Sequence, residues 1–159
     1  MSARDRGELA SGARALGLVA LTVGADLDLL GRVVLGRSVH HGPTHGVGFA
    51  LALGVAVWLW GHVRHWPEAG RVGLLAGAAW GLHGLVDFVS RDTNPPIGPM
   101  VLWPFSERYW TSPLIVFLDT ARTLTWEAVT KNLLAMAWES VVLAPLLFAL
   151  WRAQRRRLR

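Results

Sequence analysis

The chain has 159 residues, 52% of them hydrophobic and only 17% charged, against about 25% charged in a typical soluble domain. The length holds one domain, and the positive mean hydropathy of +0.35 together with long apolar runs reads as a polytopic membrane protein rather than a soluble one. There is no cysteine, which excludes disulfides and thiolate metal sites. The net charge of +5 is concentrated in Arg152, Arg155, Arg156, Arg157 and Arg159. Beside an apolar run, such a cluster reads as an anchor on anionic headgroups rather than a nucleic-acid-binding segment.

Residues 1–11 are polar and read as a cytoplasmic tail or the start of an amphipathic helix. The first apolar run, 12–30, is about one membrane-spanning length. It ends in Asp26 and Asp28 rather than in a small-residue cleavage site, so no signal peptide is predicted. A connection rich in Gly, Arg and His follows. The second run fills a span if the helix covers 44–63, and the third covers 72–89. The third run carries the small residues Gly73, Ala76, Gly77, Ala78, Ala79, Gly81 and Gly84, which let helices pack closely.

Residues 90–131 form the longest non-spanning region. Asn94-Pro95-Pro96-Ile97-Gly98-Pro99 cannot be regular helix. Trp103, Phe105, Tyr109 and Trp110 suit the headgroup level, and 114–129 is expected to be an interfacial helix. A fourth span, 132–151, is interrupted by Glu139 and Pro145. The fold class expected is therefore all-α: a polytopic membrane helix bundle of about four spans, with an extracytoplasmic loop and interfacial helix between the third and fourth.

Lys and Arg set the orientation. With both termini cytoplasmic, the inner segments hold Arg4, Arg6, Arg14, Arg64, Arg71 and the C-terminal arginines. The outer segments hold the smaller set Arg32, Arg37, Arg91, Arg108, Arg122 and Lys131.

That topology gathers the ionisable residues. His83 and Asp87 are four apart and share one helix face. A neutral imidazole and a carboxylate there can grip one divalent cation, and so polar a pair in an apolar run is a functional candidate. Asp26 and Asp28 at the end of the first span, and His40, His41 and His45 before the second, fall at the same end of an up-and-down bundle. His62 and His65 fall at the other end and read as loop residues. Asp26 and Asp28 are two apart, so on a regular helix they diverge. Either the helix ends between them, or one binds metal while the other orients a ligand. Pro43 leaves the choice between His40 and His41 open.

A His and carboxylate set without Cys suits zinc, with manganese or iron as alternatives. Such an ion lowers the pKa of water for hydrolysis of an ester or phosphoester, and the membrane position favours a lipid-linked substrate. Each motif alone also has a structural reading as a capping, interfacial or helix-stabilising group; their convergence favours metal. Glu139 is open between ion pair, ligand and proton donor.

The motifs resemble those of the YdjM-type membrane-bound metal-dependent hydrolases, a bacterial inner-membrane family. Its Pro-Asp-x-Asp, His-Arg-Gly-x-Thr-His-Ser, His-x-x-x-Asp and Leu-Trp-Pro-Phe elements match Ala25-Asp26-Leu27-Asp28, His40-His41-Gly42-Pro43-Thr44-His45-Gly46, His83 to Asp87, and Leu102-Trp103-Pro104-Phe105. The resemblance aligns His40 and His45 with the two family histidines and His41 with the arginine. Ala25, His41 and Gly46 depart from the pattern, and the family's N-terminal histidine has no counterpart here. The resemblance implies a multi-pass protein of the bacterial cytoplasmic membrane with membrane lipids as neighbours. Asp26, His40, His45, His83 and Asp87 are then the metal ligands, and Asp28 is a catalytic or ligand-orienting group. Thr44, Arg91 and Arg108 are candidates to position an anionic substrate. The competing reading is a metal-binding or structural membrane protein without catalysis.

Overall fold

The computed structural model describes residues 16–17, 19–29, 40–121, 123 and 125–157. The N-terminal tail, part of the first expected span and the 31–39 connection lie outside the described residues. Among those described, the chain is mostly helical, and its one β-type pairing is an isolated parallel bridge between Ser90 and Phe117.

Residues 19–23 are helical and tighten into a 3-10 helix at Gly24–Leu29. A second 3-10 turn, Pro43–His45, leads into α1, Val47–Val63. Helix α2 is Ala69–Phe88 and α3 is Trp126–Arg157. The helix in the second apolar run thus starts later than the 44 expected. Pro43, without an N–H and with fixed φ, favours a tight first turn.

Helices α1 and α2 form the main packed pair. Their contact is lined by small residues, with Ala50 and Gly61 buried on α1 and Ala69, Gly73, Ala76 and Gly84 on α2. A methyl group on Gly54 would come within 3.0 Å of Gly73 O, and one on Gly77 within 2.9 Å of Ala50 O. The backbones meet where only hydrogen fits, the packing expected from the small residues of the third run. Turned away from this contact, Leu51, Val55 and Leu59 on α1 and Leu74, Leu82 and Leu85 on α2 are exposed. Such apolar exteriors suit a lipid environment, not water.

The turn after α1 closes with His65 in the left-handed region (φ 55) and Trp66 N–H donating to Gly61 O at 2.8 Å. His62 and His65 are both exposed; His65 lies in the turn as expected, whereas His62 belongs to the last turn of α1 rather than to a loop.

Among the described residues, only α3 contains a stretch long and apolar enough to cross a membrane, from Trp126 to Ala153. At 17 residues, α1 is about 26 Å long, slightly short of a bilayer core of about 30 Å. Helix α2 has the length, but Arg71, His83, Asp87 and its many glycines dilute its apolar character. Helix α3 continues through Pro145 and starts with Thr125, whose Oγ1 accepts from Ala128 N at 3.2 Å, a side-chain N-cap.

The expected interfacial helix over 114–129 is corrected by the structure. The described residues of 114–121 are not helical, and helix begins only at Trp126. The cause is backbone pairing with the end of α2: Val116 N donates to Val89 O at 2.8 Å, and Arg91 N to Phe117 O at 3.0 Å.

The 89–121 segment caps the hairpin's end. Val47 N donates to Val101 O at 2.9 Å and Gly48 N to Trp103 O at 2.8 Å, so carbonyls around Leu102-Trp103-Pro104 satisfy the free N–H groups opening α1. This segment also holds α3. Asn132 exchanges hydrogen bonds with both backbone groups of Ala121, at 2.8 and 3.0 Å, and Lys131 reaches Asp119 at 2.5 Å. Trp138 Nε1 donates to Val116 O at 2.7 Å.

Candidate metal centre

Three separate stretches converge at this capped end. The 3-10 helix supplies Asp26 and Asp28, the second 3-10 turn with the residues before it supplies His40, His41, Thr44 and His45, and the last two turns of α2 supply His83 and Asp87. A methyl on Gly84 would lie 2.5 Å from His45 O, so the bare backbone at Gly84 lets the histidine turn sit directly on α2. Trp80 Nε1 donates to Thr44 O at 2.6 Å and fixes the same turn from the side, its ring stacked on Phe49.

His83 Nε2 lies 3.3 Å from Asp26 Oδ1 and 3.2 Å from Asp87 Oδ2. His45 Nε2 lies 3.3 Å from Asp87 Oδ2 and 3.8 Å from Asp26 Oδ1. Four ligand atoms tetrahedral about an ion at 2.0–2.1 Å are about 3.3–3.4 Å apart; three of these four distances match such an edge, and the one from His45 Nε2 to Asp26 Oδ1 is longer. His45 Nε2, His83 Nε2 and Asp87 Oδ2 are buried yet have no hydrogen-bond partner. Close together but not bonded to one another, they have the arrangement of lone pairs aimed at a shared point. Each buried polar atom left unsatisfied costs about 1–3 kcal/mol, and one divalent cation would satisfy all of them.

The other face of His45 explains why its ε-nitrogen is the one presented. Its Nδ1 lies 3.3 Å from Asp28 Oδ2 and 3.1 Å from Thr44 Oγ1. Thr44 in turn donates to Asp28 Oδ2 at 2.8 Å, and His40 Nδ1 meets Asp28 Oδ1 at 2.7 Å. A carboxylate beside Nδ1 favours the proton there and leaves Nε2 as the lone pair, the arrangement common behind metal-binding histidines. The two aspartates thus divide the work that their spacing left ambiguous: Asp26 faces the ε-nitrogens, and Asp28 orients two imidazoles.

His40 and His41 are both buried here. His41 Nδ1 lies 3.1 Å from Asp92 Oδ2, its backbone O accepts from Met100 N at 2.9 Å, and its φ of 62 is left-handed, uncommon for a side-chain-bearing residue. Ring nitrogens of His40, His41 and His45 lie within 4.8 Å of one another, a second group able to hold an ion; Asp26, His45 and His83 form the first. His40 stands outside the converging set of four, its Nδ1 4.0 Å from Asp26 Oδ1.

The cluster opens into a cavity of about 640 Å³, lined also by Val86, Arg91, Asp92, Leu118, Asp119, Asn132 and Glu139. Thr44 is behind the cluster, bonded to Asp28, and Arg91 is on the cavity wall. Arg108 is exposed and is not among the lining residues.

The sequence reading missed Asp92, which holds His41 and accepts from Asn94 N and Gly98 N, and Trp80. Asp92 follows the third run by a few residues, a signal that was available. Trp80 had none, being one of nine tryptophans. Tyr109 is a further neighbour: burial and the Asp28 charge push its phenol up from the ordinary value.

A family model described as YdjM inner membrane protein matches residues 3–157, nearly the whole chain. No curated protein and no solved structure matches.

Proposed function

We propose that this chain, which belongs to the YdjM inner membrane protein family, is a membrane-bound metal-dependent hydrolase acting on an ester or phosphoester, with a lipid-linked molecule as substrate. The observation that carries the reading is the set of buried, unpartnered atoms of His45, His83 and Asp87 converging beside Asp26. Zinc fits the donor set and the tetrahedral spacing, and manganese or iron fits the donors.

A divalent ion held there supplies Lewis-acid polarisation and acidifies water. The chain's own residues do the rest. Asp28 and Thr44 hold the His45 imidazole in one tautomer, and His40 is hydrogen-bonded to Asp28. Arg91 at the cavity wall offers a guanidinium to an anionic group. The lining carboxylates otherwise outnumber that single cation, so an anionic phosphoester enters favourably only once bound metal offsets their charge. A cavity of about 640 Å³ is of ligand-binding size, and Val86 and Leu118 give it an apolar side for an acyl or prenyl portion.

In the membrane arrangement we propose, four spans place both termini in the cytoplasm and this end of the bundle outside. The apolar exteriors of α1 and α2 and the length of α3 support it. Exposed Phe105, at 87%, and Trp110 support seating the loop at the headgroup level.

The test is metal content of the detergent-purified protein by mass spectrometry, wild type beside His45→Ala/Asp87→Ala, followed by turnover of lipid phosphoesters. Metal near one or two equivalents, lost in the double variant, is expected. Metal without turnover would favour the non-catalytic metal-binding reading, and no metal after supplementation with zinc, manganese and iron would end the hydrolase reading and favour a structural role.

A further inference from the structure

Helix α3 turns a single face inward. Its non-exposed positions with described side chains are Ala128, Asn132, Ala135, Glu139 and Val142, spaced four, three, four and three residues apart, which is one stripe of an α-helix. Asn132 is engaged with the backbone of Ala121. Glu139 is not engaged. It lines the cavity with Asp26, His83 and Asp87, and among the described residues it has no hydrogen bond or ion pair.

The cavity's other carboxylates all have work to do. Asp26 and Asp87 stand against His83 and His45. Asp28 holds His40 and Thr44, Asp92 meets His41, and Asp119 accepts from Thr93 and Lys131. A carboxylate on a helix of membrane-crossing character is expensive, and no hydrogen bond or ion pair among the described residues offsets it. Its placement is also not loose, because Lys131, Asn132 and Trp138 fix the rotation of α3 against the capping segment.

We propose that Glu139 is a catalytic residue of this site, the group that carries the proton during hydrolysis; the inference rests on the hydrolase reading above. The Glu139 carboxylate takes one proton from the attacking water as the water's oxygen bonds to the phosphorus or acyl carbon. The bond from that centre to the leaving oxygen breaks, the electron pair goes to that oxygen, and Glu139 returns the proton to it. One water is consumed, and the carboxylate is restored. A base needs a free lone pair; Asp26 and Asp87 turn theirs to the imidazole ε-nitrogens, whereas Glu139 lines the cavity with its carboxylate unengaged among the described residues.

The experiment compares wild type with Glu139→Gln, which keeps the shape but cannot take a proton. Both are purified in detergent with zinc and assayed on 4-nitrophenyl phosphorylcholine and 4-nitrophenyl butyrate. The expected result is unchanged zinc content with kcat down about 10²–10⁴-fold on the probe that wild type cleaves. Wild-type turnover in the variant overturns the proposal and leaves the hydrolase reading standing. Loss of zinc overturns it by making Glu139 a ligand. Zinc-loaded wild type that cleaves neither probe removes both readings.

A second readout does not depend on turnover. Dicyclohexylcarbodiimide attacks protonatable carboxyls in apolar surroundings, and peptide mass spectrometry locates the adduct. An adduct at Glu139 in preference to Asp26 and Asp87 is expected, and its absence overturns the proposal.

Discussion

Replacing Asp28 by Asn separates orienting a ligand from being one. Asp28 accepts from Thr44 at 2.8 Å and meets His40 at 2.7 Å and His45 at 3.3 Å. Asparagine keeps the size but has one acceptor oxygen and an NH₂ group. Where that NH₂ faces an imidazole Nδ1–H, donor meets donor, and the ring is driven toward the tautomer with its proton on Nε2. For His45 that is the wrong nitrogen, because Nε2 faces Asp26 and Asp87. Removing a carboxylate of this kind typically costs 10–100-fold in metal affinity, or about 1.4–2.7 kcal/mol. Competition titration of zinc against a chromophoric chelator, on wild type and Asp28→Asn in the same detergent, measures it. Asp26→Asn serves as the ligand control and should lose substantially more. Unchanged affinity in Asp28→Asn would refute the orienting role; a loss equal to that of Asp26→Asn would make Asp28 a ligand.

Gly84→Ala places a methyl 2.5 Å from His45 O, so the histidine turn must shift; zinc affinity should fall, whereas Gly70→Ala, with nothing within 4 Å, should leave affinity unchanged and stabilise α2 by about 0.5–1 kcal/mol in thermal unfolding. Trp80→Phe removes the bond to Thr44 O but retains an aromatic ring against Phe49; a stability loss of about 1 kcal/mol is expected, with zinc affinity reduced less than by Asp28→Asn in the same titration. Asn132→Leu leaves both backbone groups of Ala121 without their partner, and limited proteolysis should then cut the 113–125 segment faster than in wild type. Single cysteines at His65 and Arg108, in a chain that has none of its own, should be labelled by an impermeant thiol reagent from opposite sides of the membrane; labelling from one side would overturn the topology.

Much of this site was legible in the chain itself. The i,i+4 spacing of His83 and Asp87 survives folding because helical periodicity is local, and the expectation that His and Asp gather at one end agrees with their convergence in the structure. Small residues along the third run announced a close helix contact, since the absence of side chains is itself the packing signal. The resemblance to the YdjM motifs agrees with the family match over nearly the whole length.

Other features depended on tertiary structure. Spacing could not say how Asp26 and Asp28 act together. The chain tightens to a 3-10 helix at Gly24, and the neighbours then assign one carboxylate to the ε-nitrogens and the other to the δ-nitrogens. The 114–121 segment has the composition of an interfacial helix, but pairing with Val89 and Arg91 makes it extended, because backbone partners distant in sequence outweigh local propensity. Trp103-Pro104-Phe105 read as aromatic residues at the headgroup level; only the folded chain reveals that the carbonyls of Val101 and Trp103 also cap α1. Glu139 was ambiguous for the same reason. A lone acid in an apolar run shows that something is demanded of it, but the rotation of α3, set by contacts at Ala121, Asp119 and Val116, decides which wall it lines.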